Sequence, residues 1–386
     1  MASFEVYLVV RCAQAMSLLV YLDSQDYSKL TKDNDLLQEL ASCKEAGEAT
    51  FISSSAIVSE CAPLTASVTH LAVERSEVIE LLCGRNTFLS IDRILEAEIS
   101  SFGRSPLTRG QIISSEGDWF PSVGPLLDKV DMRKSFHEAL SDRPLNREQR
   151  RKAKSMTLRG GSLRPRASNE LLSGMDDLAK ETIAAYPMKP ENARTVISFI
   201  AGKASRAQAE RALLESLRDV SWMMRWFQNH HDNLAFVPNF IRATSNRTFD
   251  RFSESIEKSK LVHDPIRAWR QIVDDVLRES IENFIAKSGK TIKPSASEIQ
   301  KHCPGMVTMF KLMAKTIEDS LGSNTRNLDQ SDFADAIHAL HAPYVDIFRA
   351  DAYMASKLTA IASSTIICRK LRELPSAIRM ASAVRT

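Results

Sequence analysis

Apolar positions follow two rhythms along this chain, and the change between them divides it into three stretches. Leu18-Leu19-Val20-Tyr21-Leu22 is a nearly unbroken apolar run, the mark of a strand covered on both faces. Thr50 to Ser54 and Thr87 to Ile91 read as two more short strands. Between them, helical spacing predicts a polar loop and helix over Tyr27–Leu40. It also predicts a helix carrying Ile57, Val58 and Glu60 that Pro63 interrupts, and an amphipathic helix over 68–82 that stops at Gly84. A further helix spans Asp92–Ile99. Strands alternating with helices predict a parallel sheet built from βαβ units.

Near Ser100 the alternation stops. Helical periodicity alone runs to about Leu321, with candidate helices at 125–141, 168–185, 190–203, 206–229, 245–259, 265–287, 296–302 and 305–320. The mixed rhythm then returns as helix 330–342, strand 344–350, helix 352–361 and strand 364–368. The simplest organisation is an α/β domain formed by 17–99 and 327–386, split by an all-helical insertion at 100–326. Sheets tolerate such insertions because they leave through surface loops. Residues 1–15, ahead of Met16, read either as an upstream extension or as an extra strand over Val6–Val10.

Composition adds little until its distribution is considered. The 386 residues are 44% hydrophobic and 26% charged, ordinary globular values, and a net charge of +3 does not by itself argue for nucleic acid. The stretch 143–166 is different: Arg143, Arg147, Arg150, Arg151, Lys152, Lys154, Arg159, Arg164 and Arg166 face one acid, Glu148. It reads equally as a phosphate-neutralising arm and as a solvated linker. The six cysteines form no CxxC pair, as expected of reduced thiols in a cytoplasmic protein. No apolar run approaches the ~18 residues a membrane span needs, and the N-terminus lacks the features of a signal peptide. Phosphate-loop, dinucleotide-fold and nucleophile-elbow motifs are also lacking, which disfavours ATPase, dehydrogenase and serine-hydrolase chemistry.

The candidate chemistry lies in carboxylates. Asp23 and Asp351 each fall just past an expected strand, where an open parallel sheet gathers its functional groups. Asp335 falls in the first turns of a helix, and Glu60 follows the second strand. Acids 4 Å apart repel by about 4 kcal/mol per pair at an effective dielectric near 20. Such a cluster needs protons or a cation, and oxygen ligands without histidine favour Mg²⁺ or Mn²⁺. Asp346 is the alternative to Asp351; five strand residues put them about 16 Å apart.

In order and spacing, Tyr21-Leu22-Asp23-Ser24-Gln25-Asp26-Tyr27, Glu60, Asp335 in Asp-Ala-Ile-His-Ala, and Asp351 resemble the PIN domain. The resemblance covers roughly 17–99 and 327–370, and the long helical middle departs from that usually compact family. It implies a three-layer α/β/α fold and a metal-dependent nuclease that hydrolyses RNA, with single-stranded DNA as another possible substrate. It also implies that Asp23, Glu60, Asp335 and Asp351 bind Mg²⁺ or Mn²⁺, with Ser24 and Asp26 holding waters behind them.

Blander readings compete at most of these positions. An aspartate after a strand often only caps a helix, Asp332 suits dipole compensation, and Asp26 and Asp92 suit caps or the surface. His338 and His341 read as packing residues, and Trp222, Met223, Met224, Trp226 and Phe227 as core rather than a base-stacking platform. The competing function is a non-catalytic interaction protein, with a vestigial acid site and a helical segment that docks a protein partner or inhibitor.

Overall fold

The computed structural model describes residues 17–120, 123, 127, 146–148, 151, 163–230, 264–287, 293–321, 330–362 and 364–385. The expected features at 1–15, 125–141 and 245–259, and most of the basic stretch 143–166, lie outside these.

From β1 (Leu18–Tyr21) the chain passes through α1 (Ser24–Leu30) and α2 (Asn34–Glu45) into β2 (Ala49–Ile52). One helix was expected where α1 and α2 stand; Asp33 divides them by accepting from Leu36 N and starting a new helix. Next come α3 (Ser55–Cys61) and α4 (Thr69–Cys83). Ala62 turns extended directly before Pro63, and Gly84 ends α4 at a φ of 57°, where a side chain would be strained. β3 (Thr87–Phe88), α5 (Ile91–Ser100) and β4 (Ile113–Ser114) complete the first stretch.

Helices then dominate, as the periodicity predicts: α6 (Pro165–Ser173), α7 (Met175–Ala185), α8 (Pro190–Ile200), α9 (Arg206–Arg218) and α10 (Val220–Asn229), then α11 (Pro265–Lys287), α12 (Ala296–His302), α13 (Pro304–Leu321) and α14 (Gln330–Ala339). The expected helix 206–229 is two, because Asp219 leaves helical geometry and caps α10 through Trp222 N at 2.9 Å. β5 (Ile347–Arg349), α15 (Ala352–Ile361) and β6 (Ile366–Cys368) follow, and an unanticipated α16 (Leu374–Arg385) closes the chain.

The main sheet has the order β2-β1-β5-β6 and is parallel throughout, so the fold is α/β. β3 was expected to be a strand of that sheet. It meets the edge of the sheet through the parallel Ser53–Thr87 bridge just past β2, and its ladder pairing is antiparallel, with β4. From β1 the chain steps to β2 on one side and later to β5 and β6 on the other, so strand order reverses at β1. The carboxyl ends of β1 and β5 therefore border the crevice where such sheets place their sites. All three β5 residues are buried, consistent with cover on both faces.

Part of the helical stretch packs into the sheet's core, and part, including Ala179, Met188, Ala193, Val196, Ile197 and Ala209, forms a cluster of its own. Trp119, Leu217, Met223, Met224, Trp226, Phe227 and Leu312 share one buried cluster with Val20, Tyr21, Phe51 and Phe348 of the sheet. Met223, Met224, Trp226 and Phe227 of α10 are thus core, with Trp226 Nε1 donating to Ile183 O, while Trp222 is half-buried against them. The five described cysteines are buried and unbridged. Among the described residues, no single helix is long and apolar enough to cross a membrane.

Candidate metal centre

Each of the four expected acids comes from a different element; Asp23 and Glu60 come together with His338 in one close group, whereas Asp335 and Asp351 are not part of that group and Asp335 feels the others through their charges. Asp23 lies two residues beyond β1 and caps α1, its Oδ1 accepting from Gln25 N at 3.4 Å. Asp351 lies two residues beyond β5 and caps α15, its Oδ1 accepting from Met354 N at 2.7 Å. The capping roles foreseen for such residues are therefore real. They occupy one oxygen of each carboxylate. Glu60 sits near the end of the short helix α3, with its side chain one-third exposed.

α14 supplies the fourth acid and a residue the sequence reading had placed elsewhere. Asp335 and His338 are three apart on this helix and so share a face. His338 is buried but not merely packed. Its Nδ1 lies 2.6 Å from Tyr21 Oη, and its Nε2 lies 3.2 Å from Glu60 Oε2. Tyr21 Oη in turn lies 2.7 Å from Ser54 Oγ, the cap of α3. Ligand atoms of Asp23, Glu60 and His338 all fall within 4.8 Å of one another. The group that could hold a cation thus contains an imidazole beside two carboxylates, where the sequence pointed to oxygen ligands alone. The missed signal was the Asp-x-x-His spacing on one helix.

Charge crowding follows from this geometry. Burial, partly offset by His338, and the neighbouring charges of Asp351, Asp23 and Glu60 push the Asp335 carboxyl up to about 7. Burial alone would lower His338, but the charge and hydrogen bond of Glu60, helped by Asp23 and Asp335, raise it to about 9. Three acids thus converge electrostatically on one imidazole. Among the described residues, neither Asp23, Asp335 nor Asp351 pairs with an arginine or lysine.

Other expectations sort themselves by position. Asp346 stands ahead of β5, where Leu19 N, Arg109 at 2.5 Å and Arg385 at 2.6 Å engage it, away from Asp351. His341 is a packing residue, stacked 5.2 Å from Tyr21 and lowered to about 3 by burial and by His338. Asp92 is exposed in the first turn of α5, as anticipated. Asp26 is not. It is fully buried and bonded to Arg349, so it is not a surface group. Compared with protein-family models, curated proteins and solved structures, the chain matches none.

Proposed function

We propose that this protein is a divalent-metal-dependent nuclease that hydrolyses RNA, with Asp23, Glu60, Asp335, Asp351 and His338 as its centre. The observation that carries this reading is the convergence of Asp23, Glu60 and His338 within 4.8 Å at the point where strand order reverses. The donor chemistry fits a cation. Asp335 is pushed up to about 7 by burial among acids, and added positive charge would relieve this. His338 offers Nε2 while Tyr21 holds its other ring nitrogen, the arrangement that fixes a ligating imidazole. An imidazole beside carboxylates suits Mn²⁺ better than Mg²⁺, which prefers an all-oxygen shell.

When bound, such an ion supplies Lewis acidity and a water of lowered pKa. The chain's own residues would do the rest. Asp23 and Asp351 are held by their helix caps, so their second oxygens point from fixed backbone. Glu60 and His338 face one another directly. RNA as substrate rests on the PIN-domain resemblance of the segments around Asp23 and Asp335.

A second reading is favoured by one specific contact. The Glu60–His338 hydrogen bond already sets a positive imidazole among the acids, as a vestigial site in an interaction protein would. Cleavage assays separate the two. Single-stranded RNA and DNA are incubated with Mn²⁺ or Mg²⁺ and native protein, Asp23→Asn or Asp335→Asn. Mn²⁺-dependent cleavage of RNA by the native protein only, with all three folded, supports the nuclease. Equal activity in all three, or no cleavage with either metal, refutes it; cleavage of DNA alone would revise the substrate.

A further inference from the structure

We propose that the buried Asp26–Arg349 ion pair is a positioning device that sets the separation of Asp23 and Asp351. This inference rests on the metal-centre reading above. Asp26 stands in the first turn of α1, three residues after its cap Asp23, and Arg349 ends β5, two residues before Asp351, the cap of α15. The same two strand–helix junctions thus contribute both the capping carboxylates and the ion pair that links them. Arg349 donates through one terminal nitrogen to Asp26 Oδ1 at 2.8 Å. Its other terminal nitrogen donates to Ala350 O, one residue from Asp351.

Stability gives no reason for this pair. Asp26 is 0% exposed and Arg349 4%. A buried ion pair is often matched or bettered by apolar residues of similar volume. This one is also incompletely bonded: Asp26 Oδ2 and Arg349 Nε have no partner among the described residues, which is unfavourable for buried polar atoms. Burial accordingly raises Asp26 even with Arg349 beside it, and the charge of Asp23 adds to the rise. What the pair gains is registry. It bolts the first turn of α1 to the end of β5, three residues from Asp23 and two from Asp351. Lys29, half exposed, adds a contact to the same Oδ1 at 3.2 Å.

The test compares the native protein with Asp26→Leu/Arg349→Met and with Arg349→Lys. Thermal stability, Mn²⁺ affinity by electron paramagnetic resonance, and the metal-free crystal structures are measured for each. The double variant is expected to keep or raise the melting temperature, bind Mn²⁺ about 10- to 100-fold more weakly, and show a changed Asp23–Asp351 separation. Arg349→Lys, which keeps the charge, is expected to recover part of the affinity. A double variant with native Mn²⁺ affinity and native carboxylate separation overturns the proposal. If the native protein itself takes up no Mn²⁺, the metal reading fails, and the metal-free carboxylate separation alone decides the positioning claim. Should the double variant not fold, Asp26→Asn supplies the same comparison.

Discussion

His338 Nε2 lies 3.2 Å from Glu60 Oε2 while its Nδ1 lies 2.6 Å from Tyr21 Oη, so one buried imidazole ties α14 to both α3 and β1. That relationship holds the acidic cluster together without any added ion. It also makes His338 titrate unusually.

Raised to about 9, His338 contributes stability that is fully present below its ordinary value of 6.5 and is lost as pH rises through 9. The shift corresponds to about 3 kcal/mol. Imidazole NMR of metal-free protein is expected to show a midpoint near 9, and Glu60→Gln to lower it. Melting temperature is expected to fall between pH 7 and 9.5. A His338 midpoint near 6.5, unmoved by Glu60→Gln, contradicts the assignment.

Asp335 behaves in the opposite chemical sense with the same sign. Its carboxyl is raised from 3.8 to about 7, so ionising it destabilises the folded protein as pH climbs between those values. Asp335→Asn is expected to stabilise metal-free protein at pH 8 by about 4 kcal/mol, read by denaturant unfolding. An acid whose removal strengthens the fold while abolishing activity is there for chemistry. A destabilised Asp335→Asn would mark it as structural.

Much of this was legible in the sequence where local rules decide. The run at 18–22, the break at Pro63, the stop at Gly84 and the helices 265–287, 296–302 and 352–361 follow from periodicity and caps. What local rules could not give was pairing across distance. Thr87–Phe88 has strand composition, but only the loop returning through Ile113 shows that it pairs antiparallel. His338 looks like any apolar-face histidine until Glu60, 278 residues away, arrives beside it. Asp26 looks like a surface acid of a first turn; Arg349 makes it buried.

Glu98 shows the same long-range logic within the core. Buried in α5, it accepts from Gly305 N at 2.6 Å, Met306 N at 3.1 Å and Tyr344 Oη, closing the start of α13. Glu98→Ala leaves these donors buried and unpaired, with an expected loss of about 3 kcal/mol in chemical denaturation. A loss under about 0.5 kcal/mol would show that the contact matters little.

Gly305 makes the closest approach between α13 and the segment that ends α14. A Cβ there would stand 2.7 Å from Leu340 O and 2.8 Å from Glu98 Oε1. The backbone oxygen cannot yield cheaply, so Gly305→Ala is expected to cost about 1–3 kcal/mol. Displacing the helix that carries Asp335 and His338 should also reduce Mn²⁺-dependent cleavage, measured beside the melting temperature. Unchanged stability and cleavage would separate α13 from the site.

The most direct measurement is anomalous diffraction from crystals soaked in Mn²⁺. The account predicts one anomalous peak within coordination distance of Asp23, Glu60 and His338 Nε2, with the Glu60–His338 hydrogen bond opened around it. No peak at that point, with the hydrogen bond intact at millimolar Mn²⁺, would contradict it.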